Sequence, residues 1–226
     1  MRVEREKSSF HRLSIINSQL STPTTLGVVN YGSGNLRSVC KALDAVGAHT
    51  RLIDAPDQLA EIDAVVVPGV GAFGDCARNL RATGLWEPLR EWIAADRPYL
   101  GICLGYQLLF EGSEETPGVP GLGVLPGFVR RFPDGPLKVP HMGWNRVTTA
   151  RASPLTDSLP EEPRFYFVHS FYARCRDPQD VLLTTSYGET FHSGIQRGNV
   201  YGVQFHPEKS HMFGMALLRS FATRVN

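Results

Sequence analysis

The chain has 226 residues and a formal net charge of +1 at pH 7, which suits one α/β domain or at most two. A charge so close to zero creates no long-range field that would favour nucleic acid or an anionic membrane as a partner. No apolar run approaches the roughly 20 residues that a membrane helix requires. We therefore expect neither nucleic acid nor membrane among its partners.

The four cysteines, at positions 40, 76, 103 and 175, are widely spaced and form no Cys-x-x-Cys pair. This spacing argues against both a zinc ribbon and a disulfide scaffold. We expect free thiols in a reducing cytosol, and no metal site. Cys40, Cys76 and Cys175 are interpreted as inert.

The first 25 residues are polar, contain Arg and Ser, and differ from the rest of the chain. A transit peptide is one interpretation, which Glu4, Glu6 and the lack of a continuous apolar core make weaker. We predict a disordered tail over residues 1–25 and a single domain over residues 26–226.

From Leu26 onward, strand and helix patterns alternate. "TLGVV" predicts a buried strand, and apolar residues then recur at helical spacing from Leu36 to Val46, with Gly47 ending that helix. The strands "HTRLI" and "DAVVVPG" follow, then helical patterns over 75–82 and 85–95, the strand "PYLGIC" and the helix "LGYQLLFEG". Strands separated by helices predict a parallel sheet whose C-terminal strand ends carry the functional loops.

The second half of the chain has a different pattern. Residues 118–205 contain short strands separated by Gly, Pro and Asn, and "FHSGIQR" and "VYGVQF" predict a hairpin with a two-residue turn at 198–199. The segment "HMFGMALLRSFATR" predicts a closing helix. Its expected inward-facing residues are Met212, Leu217 or Leu218, and Phe221.

Cys103 lies where a strand pattern changes into a helix pattern, in the sequence Gly101-Ile102-Cys103-Leu104-Gly105. A nucleophile elbow, which is a sharp strand-to-helix turn that presents a reactive side chain, needs small residues at both flanks. The positive end of the helix dipole would favour the thiolate. The alternative is a buried structural cysteine at a tight junction.

His206 is the best candidate for the general base, because Glu208 follows it two residues later in "QFHPEKS". In an extended segment, residues two apart face the same way, so Glu208 could orient His206. Pro207 would stiffen this arrangement. The alternative is a strand end with two solvated side chains; His169 is interpreted as a packed strand residue.

A glycine-rich loop follows a strand in "VVVPGVGAFGD". Backbone N–H groups of Val70 and Gly71, together with that of Leu104 in the elbow, could stabilise an oxyanion. The loop also has the Gly-x-Gly-x-x-Gly spacing of dinucleotide sites, but such a loop belongs after the first strand of its fold. We therefore favour the oxyanion interpretation over a phosphate site or a simple turn.

Together, "GICLGYQLLF" and "QFHPEKS" resemble the class I glutamine amidotransferases, which use a Cys-His-Glu triad. "VVNYGSGNLRSV", "VVPGVGAFGD", "VPHMGWN" and "FYFVHSFY" resemble the glutaminase subunits of imidazole glycerol phosphate synthases, over about residues 26 to 222. The resemblance implies a three-layer α/β fold, with a mostly parallel central sheet flanked by helices and additional antiparallel strands in the C-terminal half.

The resemblance also implies the role of each site residue. Cys103 would attack the side-chain amide of L-glutamine, His206 would transfer protons, and Glu208 would orient His206. Glutamine would contact Gln107 and the backbone of Ser170 and Phe171. No metal or organic cofactor is implied.

A partner is implied as well, because a glutaminase fold of this size leaves no room for a domain that consumes ammonia. The family partner is a (β/α)8 cyclase that forms a cytoplasmic heterodimer with the glutaminase and uses its ammonia in L-histidine biosynthesis. We expect the partner to control the glutaminase activity. Candidate interface residues, for which ordinary packing is the alternative, are Asn30, Asn35, Met142, Trp144, Asn145 and Lys209.

Three competing hypotheses remain open from sequence. The first is another ammonia donor of the same class, such as the glutaminase for pyridoxal phosphate synthesis, against which "PHMGWN" and "GSGN" argue. The second is a cysteine peptidase or esterase, which activity on amides other than glutamine would reveal. The third is a regulatory binding module, in which substitution of Cys103 would change no measurable function.

Overall fold

The computed structural model describes residues 24–32 and 34–224 of the chain. The first strand begins at Thr25, one residue before the predicted domain boundary. The rest of the predicted tail, residues 1–23, lies outside the described residues.

The described residues form twelve strands and five α-helices. The strands are β1 (Thr25–Val29), β2 (His49–Ile53), β3 (Ala64–Gly69), β4 (Tyr99–Cys103), β5 (Gly127–Arg131), β6 (His141–Arg146), β7 (Thr148–Thr149), β8 (Arg164–His169), β9 (Phe171–Cys175), β10 (Val181–Tyr187), β11 (Glu189–Arg197) and β12 (Val200–Val203). The helices are α1 (Leu36–Ala45), α2 (Phe73–Ala82), α3 (Trp86–Ala94), α4 (Leu104–Gln107) and α5 (His211–Arg224). Short 3₁₀ turns cover Pro56–Glu61, Pro178–Asp180 and Pro207–Lys209.

The central sheet has eight strands in the order β2-β1-β3-β4-β12-β11-β10-β7. The strands from β2 to β12 are parallel, and β11, β10 and β7 extend the sheet in the antiparallel sense. Every residue of β3, β4 and β12 is buried, as expected for strands covered on both faces. The predicted α/β fold is confirmed, and so is the two-residue turn between β11 and β12.

Two small antiparallel sheets, β5-β9 and β6-β8, lie outside the central sheet. Strand β5 pairs with β9, and strand β6 pairs with β8, which directly precedes β9 in the chain. In the β6-β8 pair, His141 lies directly opposite His169. This pair brings the sequence "HMGWN" beside the loop that follows β8.

The C-terminal ends of β3, β4 and β12 lie side by side at the centre of the sheet, where Gly69 pairs with Cys103. The segment after β3 contains Val70, β4 ends at Cys103, and the chain after β12 leads to His206. Because parallel strands present these ends at one edge, the fold gathers three predicted site segments there.

Two predictions about helices were wrong in detail. Helix α4 ends at Gln107, whereas the pattern predicted a helix that continues to Gly112. The carbonyl groups of Leu108, Leu109 and Phe110 accept hydrogen bonds from backbone N–H groups between Leu122 and Leu125, so the chain turns there. Met212, predicted to face inward, is 65% exposed.

The elbow depends on glycine because other backbone atoms approach it closely. A Cβ at Gly105 would lie 1.7 Å from the carbonyl oxygen of Val67, and a Cβ at Gly101 would lie 2.5 Å from that of Gly105. Both obstacles are backbone atoms, which cannot rotate away as a flexible side chain can. The spacing Gly-x-Cys-x-Gly is therefore required by packing between β3, β4 and α4.

Replacing Gly105 with alanine is expected to destabilise the fold by about 3 to 5 kcal/mol, because the new methyl group overlaps the backbone of β3. The measurement is the free energy of unfolding in urea. Gly135→Ala is the matched control, since a Cβ there meets no atom within 4 Å, and we expect it to change stability by less than about 0.5 kcal/mol. Equal stability of both variants would contradict this account.

Candidate active site

Cys103 has a backbone conformation that few non-glycine residues adopt. Its φ is 54° and its ψ is −105°, and it occupies the position that caps the N-terminus of α4. This region is costly for an L-residue and persists only where the surroundings enforce it. The side chain is buried, with 3% of the residue exposed, and it lines a cavity.

His206 and Glu208 are in contact, but through a different local structure from the one predicted. The sequence pattern predicted an extended strand, whereas β12 ends at Val203 and Pro207–Lys209 forms a 3₁₀ turn. Proline is favoured at the first position of such a turn. The turn brings Oε1 of Glu208 to 2.8 Å from Nδ1 of His206, so the predicted contact exists.

Asn35 completes the environment of Glu208. Its Nδ2 donates a hydrogen bond of 2.5 Å to Oε1 of Glu208, the oxygen that also faces His206. Asn35 is the residue before α1, so helix α1 directly contacts this pair. Asn35 was predicted to lie at the partner interface, and no local pattern in the sequence indicates its contact with Glu208.

The other ring nitrogen of His206, Nε2, is buried and has no hydrogen-bond partner among the described residues. Burial lowers the pKa of His206, but the proximity of Cys103 and the carboxylate of Glu208 outweigh it and raise the pKa to about 10. His206 is therefore an imidazolium near neutral pH. A cationic neighbour of this kind is what an activated cysteine nucleophile requires.

The pKa of His206 is expected to fall in Cys103→Ala, because the variant removes the contribution of Cys103 and leaves burial opposed by Glu208 alone. The measurement is an NMR titration of the His206 ring in both proteins. An unchanged pKa would contradict the proximity of the two side chains.

Because the folded-state pKa of His206 lies above the usual value of 6.5, protonation of His206 stabilises the fold below pH 6.5. This contribution to stability is lost as pH rises towards 10.

Two glutamine side chains connect Cys103 to the wall of the cavity. Nε2 of Gln204 lies 3.7 Å from Sγ of Cys103. Nε2 of Gln107 donates to Oε1 of Gln204 at 3.0 Å and to the carbonyl oxygen of Phe171 at 3.0 Å. One hydrogen-bond network therefore connects four groups: Cys103, Gln204, Gln107 and the carbonyl of Phe171.

A cavity of about 290 Å³ opens at the C-terminal ends of β3 and β4. It brings together every predicted catalytic, oxyanion and substrate-binding residue except Glu208, which lies behind His206. These lining residues are Val70, Gly71, Cys103, Leu104, Gln107, Ser170, Phe171 and His206. Such a volume fits a ligand the size of an amino acid better than a dinucleotide.

The predicted oxyanion donors come from two segments that line the same cavity as Cys103. Leu104 is the first residue of α4, where helix geometry leaves the N–H without an intrahelical acceptor. In the loop after β3, Gly71 has a φ of +102°, and the carbonyl oxygen of Val70 accepts a hydrogen bond from Sγ of Cys76 at 3.6 Å. The assignment of these N–H groups as oxyanion donors stays a prediction.

Glu115 is a lining residue that the sequence analysis missed. Its Oε2 accepts a hydrogen bond of 2.7 Å from the N–H of Phe73 at the start of α2. The carboxylate thus lines the cavity that also contains Cys103. Two adjacent acidic residues in "GSEETPG" gave no indication that one of them faces inward.

The remaining cysteines are free, and their environments favour the neutral thiol. Burial raises the pKa of Cys76 to about 11 and that of Cys175 to about 12. Burial also raises the pKa of Cys40, although less strongly. These shifts agree with the prediction that the three thiols are unreactive.

The predicted interface residues divide into two groups. Met142 and Trp144 are 62% and 44% exposed, and the ring of Trp144 stacks on His211 with centroids 5.2 Å apart. Lys209 is also exposed. Within the same predicted set, Asn30, Asn35 and Asn145 make hydrogen bonds inside the protein. Their role at an interface stays a prediction.

Over residues 24–32 and 34–224, no group of three or more His, Cys, Asp or Glu side chains is placed to hold a metal ion. No helix within these ranges is long and apolar enough to cross a membrane.

Comparison with known proteins gives matches over nearly the whole domain. The model of the family "Glutamine amidotransferase class-I" matches residues 27–225. The chain is 49% identical over 204 residues to the imidazole glycerol phosphate synthase subunit HisH of Nitrosococcus oceani, covering 88% of this chain and 97% of that protein. It is also 49% identical over 202 residues to the HisH subunit of Salinibacter ruber, covering 86% and 92% of the two chains.

Solved structures share the fold at lower sequence identity. PurLQS from Thermotoga maritima matches 90% of this chain and 100% of that chain, with a TM-score of 0.73 and 20% identity. A structure described as a glutamine amidotransferase matches 88% and 97%, with a TM-score of 0.69 and 20% identity. These likenesses support the three-layer arrangement around the central sheet.

Proposed function

We propose that this chain, which belongs to the class I glutamine amidotransferase family, is the glutaminase subunit of an imidazole glycerol phosphate synthase. It hydrolyses L-glutamine to glutamate and ammonia. The observation that carries the proposal is the arrangement of Cys103, His206 and Glu208 at one cavity, in a chain about half identical to HisH subunits. The function belongs to histidine biosynthesis.

The reaction begins with attack of the Cys103 thiolate on the side-chain amide carbon of glutamine. The carbon–sulfur bond forms as the carbonyl π electrons move onto oxygen, which becomes an oxyanion. Backbone N–H groups of Leu104 and of the Val70–Gly71 loop stabilise that charge. Collapse of the intermediate breaks the carbon–nitrogen bond, and His206 supplies the proton that makes ammonia the leaving group.

Hydrolysis of the resulting thioester reverses these roles. Neutral His206 removes a proton from the attacking water, a second oxyanion forms, and its collapse releases glutamate and the Cys103 thiolate. Glu208 holds His206 through Nδ1, so that Nε2 faces the reacting atoms in both steps. This division follows the nucleophile, base and orienting group of a catalytic triad.

The cavity also suits the charged end of glutamine. Glu115 places a carboxylate at the cavity wall, where it would pair with the α-ammonium group of the substrate. Gln107 and the backbone around Ser170 and Phe171 supply further polar contacts on the same wall. Glutamine would therefore be held at both ends, with its amide directed at Cys103.

The partner is a (β/α)8 cyclase subunit that forms a heterodimer with this chain in the cytoplasm and consumes the ammonia. The exposed apolar side chains of Met142 and Trp144 support this assignment, because large side chains of this type are favoured at interface centres. Lys209 directly follows Glu208, so contact there would reach the triad. Partner binding therefore controls the glutaminase activity.

The test is glutamate release from glutamine by the full chain, alone and with the cyclase and its nucleotide ligand. We expect low activity alone and a large rise in the complex, abolished by Cys103→Ala. Full activity of the isolated chain would overturn control by the partner. Activity on amides other than glutamine would favour a peptidase, and absence of all activity in the complex would favour a binding module.

A further inference from the structure

Two buried histidines lie beside the proposed active site and have no role in the chemistry given above. His141 and His169 are 3% and 6% exposed, and they are direct cross-strand neighbours in the β6-β8 pair. Nδ1 of His141 lies 3.0 Å from Nε2 of His169. Their rings pack among aromatic side chains: Phe132, Phe167, Tyr187 and Phe191.

The two remaining ring nitrogens, Nδ1 of His169 and Nε2 of His141, also have hydrogen-bond partners. Nδ1 of His169 lies 2.8 Å from the carbonyl oxygen of Phe171, which can only accept, so this nitrogen carries a proton. Nε2 of His141 lies 3.2 Å from Nδ2 of Asn145. The amide of Asn145 is fixed independently, because its Nδ2 donates to the carbonyl of Ser186 and its Oδ1 accepts from the N–H of Arg146.

Burial keeps both rings neutral at physiological pH. It lowers the pKa of His141 to about 4 and that of His169 to about 3. A neutral imidazole has one donor and one acceptor nitrogen. Since Nδ1 of His169 donates, its Nε2 accepts from Nδ1 of His141, whose Nε2 accepts from Asn145. The hydrogen bonds therefore run in a single direction, from Asn145 to Phe171.

The same carbonyl oxygen connects these histidines to the nucleophile. Phe171 O accepts a second hydrogen bond from Nε2 of Gln107, which also donates to Gln204. Gln204 in turn contacts Sγ of Cys103. A continuous series of hydrogen bonds thus links Asn145, on the strand that carries the exposed Met142 and Trp144, to the reactive sulfur.

We propose that His141 and His169, both held as the Nδ1–H tautomer, are positioning residues that fix the Phe171 carbonyl and Gln107 relative to strand β6. The proposal rests on the proposed function for its kinetic consequence. Without the pair, the Phe171 carbonyl loses one of its two donors and the wall that binds glutamine loses its fixed geometry. A displacement of strand β6 would be transmitted to the glutamine site through the same series of hydrogen bonds.

The tautomers can be measured without any assay of activity. The full chain is labelled with ¹⁵N at histidine, and the ring nitrogens are assigned by NMR at pH 7. We expect protonated Nδ1 and unprotonated Nε2 in both His141 and His169. His192 is the internal control, because its Nδ1 accepts a hydrogen bond from the N–H of Cys175 and must show the opposite tautomer.

The kinetic test compares His141→Leu with His141→Asn, two side chains that branch alike at Cγ and differ mainly in polarity. Only asparagine retains an N–H near the position of Nδ1. We expect His141→Leu to lower kcat/KM for glutamine by about 10- to 100-fold, mainly by raising KM, because it leaves a buried acceptor unpaired. His141→Asn is expected to stay within about threefold of the unmodified chain.

Several results would overturn the proposal. One is an Nε2–H tautomer, or a protonated ring, in either His141 or His169 of the unmodified chain. Another is an equal loss in the leucine and asparagine variants, or a loss of kcat with unchanged KM, which would indicate less folded protein rather than a displaced glutamine site. A chain with both tautomers as expected but no glutaminase activity would overturn the proposed function instead.

Discussion

Cys103→Ala is expected to lower glutamate release in the complex by roughly 10⁴-fold or more, because no other group in the cavity can form the thioester. Glutamine binding should persist, since Gln107, Glu115 and the Phe171 carbonyl remain in place. The measurements are kcat from glutamate release and the Kd for glutamine by calorimetry. We expect the Kd to change by less than about threefold.

Cys40→Ala is the matched control for this prediction. Cys40 is a free, half-buried thiol on α1, outside the cavity. Its substitution should leave kcat unchanged within about twofold. If Cys103→Ala retained more than about a tenth of the activity, another nucleophile would have to be responsible and the elbow would have only a structural role.

Glu208→Gln should reduce kcat by roughly 10³- to 10⁴-fold while changing the KM for glutamine little. The amide preserves the size of the side chain but removes the negative charge that raises the pKa of His206. It also allows the imidazole to adopt the wrong tautomer. The measurement is the kinetics of glutamate release over a range of pH, which should show His206 losing its proton at a lower pH than in the unmodified chain.

Glu161→Gln makes the same chemical change at an exposed position and should have no effect on kcat. Nδ2 of Asn35 donates to the same oxygen of Glu208 that faces His206, so Glu208 is held by two neighbours. A Glu208→Gln variant with the kcat of the unmodified chain would show that His206 does not depend on this carboxylate.

The elbow at Cys103 was predictable because its signals are local. Glycines two positions either side of Cys103, and the change from strand to helix pattern, lie within a few residues of one another. The packing at Gly101 and Gly105 explains why the spacing is required. The contact between His206 and Glu208 was also predicted, although the reason was wrong, since a 3₁₀ turn rather than an extended strand brings them together.

The rest of the site depends on contacts that are distant in sequence. Asn35 and Glu208 are separated by 173 positions, and Gln204 and Cys103 by 101. No periodic pattern marks such pairs, because each forms only when segments distant in sequence assemble. The inward position of Glu115 likewise depends on its hydrogen bond to the N-terminus of α2.

The errors in the helices have a similar cause. Leu108, Leu109 and Phe110 are fully buried, so their apolar pattern has no face from which a helix could be identified. Their carbonyls bond to a loop that lies more than ten positions later. In α5, Leu217, Leu218 and Phe221 do define the buried face, whereas Met212 lies next to His211, on which Trp144 stacks.

The most direct test of the central claim uses a glutamine analogue that carries an electrophilic diazoketone in place of the side-chain amide. The analogue is incubated with the full chain in the cyclase complex, and the modified residue is located by peptide mass spectrometry. One label per chain is expected, on Cys103, and both excess glutamine and the Cys103→Ala substitution should prevent it. A label on Cys40, Cys76 or Cys175, or labelling that glutamine does not affect, would contradict this claim.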